Sequence, residues 1–335
     1  MLPKVPFIGI TLGDPAGIGK EIILKSMSKF VGKYNFLIIG SSDVIENERK
    51  KLKLEIPLKL IENFNSPVKN GFYVFDVFPK YKIENGVPSK KSGLLSFMYL
   101  KEATSLISKG KIDVLVTAPI SKKAWEMNDI KYRGHTEYFK DYFKKDKIIM
   151  SFWSTNLKVA LFTDHVALKD IFRMVKKDLI LESLLFLDDE LKKLGFSLKI
   201  FVCALNPHAG ENGFLGNEEI EEIIPAVQLA RKKGVNVEGP FSSDSLFFLL
   251  KNRRDVIVFS FYHDQALAPF KLISFRSGVN LTLGLPFIRT SPVHGTAFDI
   301  AGRGIADPTS MEMAIKFGAK LSFNKCVSKN KNNSQ

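Results

Sequence analysis

The segment DVIVFSFYHD, Asp255 to Asp264, reads as a strand buried on both faces that delivers a histidine and a carboxylate at its end. A short, unbroken run of β-branched and aromatic residues is the pattern of a parallel-sheet interior, where neither face meets water. VPFIGITL, NFLIIG, DVLVTAP, KIIMSFW, LKVALFTDH and SLKIFVCALNPH read the same way. Between these runs lie the amphipathic stretches GKEIILKSMSKF, LLSFMYLKEATSLISKG, KDLILESLLFLDDELKKLG and NEEIEEIIPAVQLARKKG, three of which reach a glycine shortly after lysine, as helix C-termini do. The alternation predicts an α/β fold with largely parallel strands. No repeat or low-complexity linker divides the chain, so a split into two domains requires short crossings, placed near Pro119 and near Lys271.

The 335 residues, 45% of them hydrophobic, suffice for a sizeable core. No apolar run approaches the ~18 residues of a membrane span, and the first residues lack a signal-peptide core, so the expected address is the cytoplasm with no membrane partner. Two distant cysteines, Cys203 and Cys326, suggest neither a disulfide framework nor a thiolate cluster. The net charge of +14 comes from lysines scattered along the chain rather than gathered in an aromatic-studded stripe, which argues against nucleic acid as partner. The lysine- and asparagine-rich end, NKCVSKNKNNSQ, reads as a frayed tail.

Three of five histidines share one local position: His165 ends VALFTDH, His208 follows KIFVCALNP, and His263 follows VIVFSFY. Ligands collect outside the carboxyl ends of parallel strands, so three imidazoles delivered there can converge. Taken singly, each would be an ordinary hydrogen-bonded histidine; together they describe a catalytic divalent-metal site with open coordination positions. Imidazole suits zinc better than magnesium, with cobalt or magnesium as other occupants. Asp164 and Asp264 are candidate orienting partners or proton acceptors.

The turn LGDPAGIGKE fits neither nucleotide motif: Gly13 to Gly19 is one residue too long for a phosphate loop, and the glycines fall at 13, 17 and 19. What remains is a tight turn with exposed amides at a helix start, which either lines a cleft or shapes the backbone. In YRGHTEYF, His135 and Thr136 stand where a helix begins and an anion is favoured, although a Thr N-cap explains the same residues. Lys271, Asn280 and Arg289 are isolated polar groups in apolar surroundings, suited to a carboxylate or phosphate.

TLGDPAGIGKEI, VTAPISK, GHTEYF, LNPHAGENGFLGNEE, GPFSSDSLF, YHDQALAPFK and NLTLGLPFIRTSPVHGTAFDIAGRGIADPTSM occur in this order, and with them the chain resembles the 4-hydroxythreonine-4-phosphate dehydrogenases of vitamin B6 biosynthesis over nearly its whole length. Two departures stand out. Lys20 replaces a common proline, and the stretch from Glu46 to Pro88 matches weakly. The resemblance implies two αβα domains around a central cleft, like isopropylmalate dehydrogenase and without the Rossmann fingerprint. The first would be residues 1–120 plus 275–335 and carry the dinucleotide loop. The second, 121–274, would carry metal ligands and a dimer interface.

It further implies His165, His208 and His263 as metal ligands and His135, Thr136, Lys271, Asn280 and Arg289 as substrate-binding residues. By similarity to the histidine-glycine loop of isocitrate and isopropylmalate dehydrogenases, His294, Gly295, Thr296, Asp299 and Asp307 would contact NAD or NADP. The implied reaction oxidises the C3 hydroxyl of 4-phosphooxy-L-threonine, and the β-keto acid then loses CO2 to give 3-amino-2-oxopropyl phosphate. A homodimer with a shared active site is implied. Lys271, Asp264 and a water on the metal are the candidate proton acceptors, and the base itself is not identified. The rival substrates are 4-phospho-D-threonate and D-erythronate 4-phosphate; rivals of another class are a non-redox zinc hydrolase and a basic nucleic-acid-binding protein.

Overall fold

The computed structural model describes residues 5–61, 71–78 and 82–332. In chain order its elements are β1 (Phe7–Thr11), α1 (Gly19–Ser28), β2 (Asn35–Gly40), α2 (Ser42–Lys51), β3 (Leu58–Ile61), β4 (Phe72–Asp76), α3 (Lys90–Ser108), β5 (Val114–Thr117), α4 (Lys122–Glu126) and α5 (His135–Tyr142). Then come β6 (Ile149–Trp153), β7 (Lys158–Leu161), α6 (Leu168–Met174), α7 (Lys177–Lys193), β8 (Lys199–Cys203), α8 (Ile224–Lys232), β9 (Val237–Phe241), α9 (Ser243–Leu250), β10 (Val256–Ser260), α10 (His263–Ser274), β11 (Val279–Leu283), β12 (Ile288–Pro292) and α11 (Thr309–Asn332). All seven runs read from the sequence as strands are strands.

The chain forms two compact units, residues 1–146 with 285–335 and residues 147–284. Both crossings fall later than the expected Pro119 and Lys271, because the segment after each of those residues is anchored to the unit it leaves. After β5, Trp125 of α4 is fully buried against α3, where its indole N–H donates to Ser96 Oγ at 2.7 Å, so this stretch stays with the first unit. After α10, β11 pairs antiparallel with β6 and so stays with the second.

In the first unit the strand order is β3-β4-β2-β1-β5-β12, all parallel. Every residue of β2 and β5 is buried, which requires cover on both faces. Helix α1 packs on α2 and α11, while α3 packs on α4. Gly13, at φ +70, turns the chain from β1 toward α1; a Cβ there would lie 2.3 Å from the Pro119 carbonyl oxygen. Helix α11 continues to Asn332, through most of the stretch read as a frayed tail; residues 333–335 lie outside the described residues.

In the second unit the order is β11-β6-β7-β10-β8-β9. Here the expectation of largely parallel strands fails locally, since β6 runs antiparallel to both β11 and β7. The cause is the short turn at Ser154–Leu157, where Ser154 Oγ accepts the amides of Asn156 and Leu157 and folds a hairpin with no crossover helix. Strands β7, β10, β8 and β9 are parallel, and their carboxyl ends form one edge. The helix-ending glycines behave as read: Gly110, Gly195 and Gly234 have φ of +64, +80 and +86.

Candidate active site

In the second unit His165, His208 and His263 come after β7, β8 and β10, three neighbouring parallel strands. The structure brings two of them together: the His165 and His263 rings lie 5.3 Å apart between centroids. Among the described residues no three His, Cys, Asp or Glu side chains stand close enough to hold a metal ion, so His208 does not complete the set within one chain. His263 opens α10 and its Nδ1 lies 2.6 Å from Asp264 Oδ1. His208 Nδ1 lies 2.8 Å from Glu211 Oε1. A carboxylate only accepts, so in the neutral form of either ring Nδ1 carries the proton and Nε2 presents its lone pair. Asp264 thereby acts on the orientation of His263, which argues against it as the proton acceptor. Asp164 has a local partner, its Oδ1 accepting the His165 amide at 2.7 Å.

His208 rides on an unusual backbone. From His208 through Asn212 the φ values are +49, +55, +78, +43 and +56, a left-handed turn in which only residue 210 is glycine. Such a conformation costs about 1–2 kcal/mol for each L-residue, so surrounding contacts must enforce it. An open cavity beside it, about 750 Å³, is lined by His208, Ala209, Glu211, Asn212, Ile224, Gly239 and Pro240. In the same unit, half-buried Lys271 stands two turns beyond His263 on α10, on the same helix face. Asn280, on β11, has a buried Oδ1 with no hydrogen-bond partner among the described residues.

In the first unit Arg289 of β12 is only 3% exposed, and its Nε and Nη2 donate to Thr117 Oγ1 at 3.1 and 2.6 Å. Burial pushes the guanidinium down to about 9. Burial, and secondarily the charge of Arg289, hold His135 well below the usual imidazole range. The buried His135 Nε2 has no hydrogen-bond partner among the described residues. Thr136 is the second residue of α5 and not its cap, a position taken by Gly134, so the capping explanation for this threonine fails. A buried cation that donates to a neutral hydroxyl, beside a buried ring nitrogen, suits an incoming anion. Thr117 was not singled out from sequence; a lone threonine ending a strand carries no local signal.

Four amides of the LGDPAGIGKE turn are used internally: Asp14 N donates to Pro119 O, Ala16 N to Asp14 Oδ1, Gly17 N to Asp14 O and Ile18 N to Thr296 O. Lys20 is buried and donates to the carbonyls of Pro15 and Gly17 at 2.7 and 3.1 Å. The turn therefore shapes backbone and supports the loop after β12. Buried Glu21 receives the Ala306 amide, and Lys25 donates to the carbonyls of Gly304 and Ala306. On that loop Gly295 and Asp299 are exposed, and a Cβ at Gly295 would meet nothing within 4 Å. His294 is held by its Nδ1 against the Gly295 carbonyl at 3.0 Å, and its Nε2 is buried with no partner among the described residues. Asp307 Oδ1 accepts the amide and hydroxyl of Thr309 at the start of α11, a capping role.

Residues 33–318 match the family model of pyridoxal phosphate biosynthetic protein PdxA. The chain is 40% identical to a 4-hydroxythreonine-4-phosphate dehydrogenase of Sulfurihydrogenibium sp. (strain YO3AOP1), over 94% of this chain and 98% of the relative. It is 38% identical to a D-threonate 4-phosphate dehydrogenase of Cupriavidus necator, over 96% and 98% of the two chains. The crystal structure of 4-hydroxythreonine-4-phosphate dehydrogenase from Klebsiella pneumoniae superposes with a TM-score of 0.83 at 33% identity, covering 96% of this chain and 99% of that one. Family model, relatives and fold agree over the whole site-bearing sequence: the chain belongs to the PdxA family of dehydrogenases.

Proposed function

We propose that the protein oxidises the C3 hydroxyl of 4-phosphooxy-L-threonine with NAD or NADP, giving 2-amino-3-oxo-4-phosphooxybutanoate, which loses CO2 to form 3-amino-2-oxopropyl phosphate. The observation that carries this reading is the buried pair of Arg289 and His135, a cationic and a neutral nitrogen donor held together inside the protein. Arg289 brings a planar guanidinium suited to a carboxylate or phosphate, with His135 and Thr136 in the same unit. Lys271 and Asn280 of the second unit are the further substrate-binding residues, and Lys271 remains a candidate proton acceptor. Fixing the substrate in this way is worth ~7–11 kcal/mol when the reacting carbon faces the acceptor.

The donor set fits a divalent metal: His165 and His263 are side by side, and His263 and His208 each turn Nδ1 to a carboxylate and leave Nε2 to ligate. A divalent metal, zinc foremost, held by His165, His208 and His263 supplies Lewis acidity toward the substrate oxygens. The nicotinamide supplies the hydride acceptor, and His294, Gly295, Thr296 and Asp299 are the residues for its dinucleotide. Asp307 is the weaker member of that group, since it caps α11. Because His208 stands apart from the other two ligands in one chain, we propose a homodimer with a shared site.

A second substrate is favoured by a specific observation: relatives nearly as similar carry the name D-threonate 4-phosphate dehydrogenase. The test is a parallel turnover assay with 4-phosphooxy-L-threonine, 4-phospho-D-threonate and D-erythronate 4-phosphate, each with NAD and NADP. The expected result is the highest kcat/KM for 4-phosphooxy-L-threonine with release of CO2. Preference for 4-phospho-D-threonate moves the substrate to the second reading, and no dinucleotide reduction with any of the three overturns both.

A further inference from the structure

The left-handed turn that carries His208 is wrapped around one buried carboxylate. Glu219, 1% exposed, begins a single π-helical turn, Glu219–Ile223, that leads into α8. Its Oε1 accepts the amides of both Leu205 and Asn206 at 2.8 Å, and its Oε2 accepts Asn206 Nδ2 at 2.9 Å. Asn206 Nδ2 also donates to Glu218 Oε2 at 2.7 Å. The turn closes over this carboxylate: a Cβ at Gly210 would lie 2.8 Å from Glu219 Oε2, and the Leu215 amide returns to the Gly210 carbonyl at 3.0 Å. Two amides just upstream of His208 are thus bound by this side chain, and the glycine just downstream packs closely against it. Ala209 and Glu211 disfavour the left-handed region and His208 and Asn212 only tolerate it, so the clamp must supply what the run as a whole opposes.

We propose that Glu219 is a positioning residue: by clamping the turn in its left-handed form it sets where the His208 imidazole stands and thereby tunes metal affinity. This rests on the reading of His208 as a metal ligand, and the experiment separates the two. Metal-free full-length protein and its Glu219→Gln, Glu219→Ala, Gly210→Ala and His208→Ala variants are titrated with Co(II), with absorption as readout, and thermal unfolding is followed without metal. Glu219→Ala is expected to bind Co(II) about 10–100-fold more weakly, the range for groups that orient a ligand. Glu219→Gln keeps an acceptor for the two amides but sets its NH2 against Asn206 Nδ2, and should lose less. Gly210→Ala, which presses on the same carboxylate, should also weaken binding.

Lower thermal stability with wild-type Co(II) affinity in both Glu219 variants would reduce Glu219 to a structural residue and overturn the inference. Wild-type affinity in His208→Ala would overturn the ligand reading beneath it. Should Glu219→Ala fail to fold, Glu219→Gln and Gly210→Ala decide: weaker binding in both supports the clamp, and unchanged binding in both overturns it.

Discussion

Individual side chains in the first unit's site are kept in electrically unfavourable states. Arg289 is buried against a threonine hydroxyl, and His135 is kept neutral by burial first and by Arg289 second. Arg289→Lys would keep the charge but lose the fork, so KM should rise about 10–100-fold, corresponding to ~1.5–3 kcal/mol for a bond to a charged group. Steady-state kinetics decide it, and an unchanged KM would remove Arg289 from substrate binding. His135 also makes a pH prediction. Its folded pKa lies below its unfolded value, so the unfolded chain takes up the proton first. The stability contribution is therefore complete above the ordinary imidazole pKa of about 6.5 and declines as pH falls below it. Melting temperatures of the ligand-free protein should drop between about pH 6.5 and 5, and the drop should be shallower in His135→Gln. An identical slope in the two proteins would contradict a buried neutral His135.

Among the strands and helices, the seven strands recognised from sequence are nearly all-apolar runs, as burial on both faces requires, although β4, FYVFD, has the same character and was not recognised. Strand β3, whose lysine faces solvent, and β9, with its cis Gly239–Pro240 bond, lack that signature. Helix α10 was hidden by Pro269 in its interior. The histidine positions were legible because strand ends are; their meeting was only half legible, since it depends on the turn after β8. That turn has no sequence signal, its left-handed residues being His, Ala, Glu and Asn around one glycine. Thr117 and Glu219 were invisible for a related reason: their roles are made by contacts distant in sequence or by a backbone shape that sequence does not announce. The turn also makes a prediction. Ala209→Gly, at φ +55, removes a left-handed penalty and should be neutral or stabilising by up to ~1 kcal/mol despite glycine's entropy cost. Gly210→Ala, at φ +78 against Glu219, should destabilise. Denaturant midpoints of the two variants test this, and destabilisation by Ala209→Gly would mean that the methyl group outweighs the strain.

At the scale of the molecule, the two units differ in what they show to water. Among the described residues, the second unit carries most of the large apolar side chains that are exposed, among them Phe214 at 84%, Leu272 at 89%, and Phe248 and Leu249 at 67% each. Side chains of this kind are what the proposed homodimer would cover. Phe214 comes directly after the turn bearing His208, and Leu272 adjoins Lys271, so the exposed apolar residues flank candidate site residues. The proposed homodimer would cover this surface and bring site residues of one subunit toward the other. Leu272→Asp should then shift the protein from dimer to monomer in sedimentation, because a charge would be buried without a partner. If the site is shared, turnover and Co(II) affinity should fall in proportion to the dimer fraction and recover as protein concentration is raised. A Leu272→Asp monomer with full turnover would show that each chain holds a complete site; a wild-type protein that sediments as a monomer at every concentration would remove the dimer altogether.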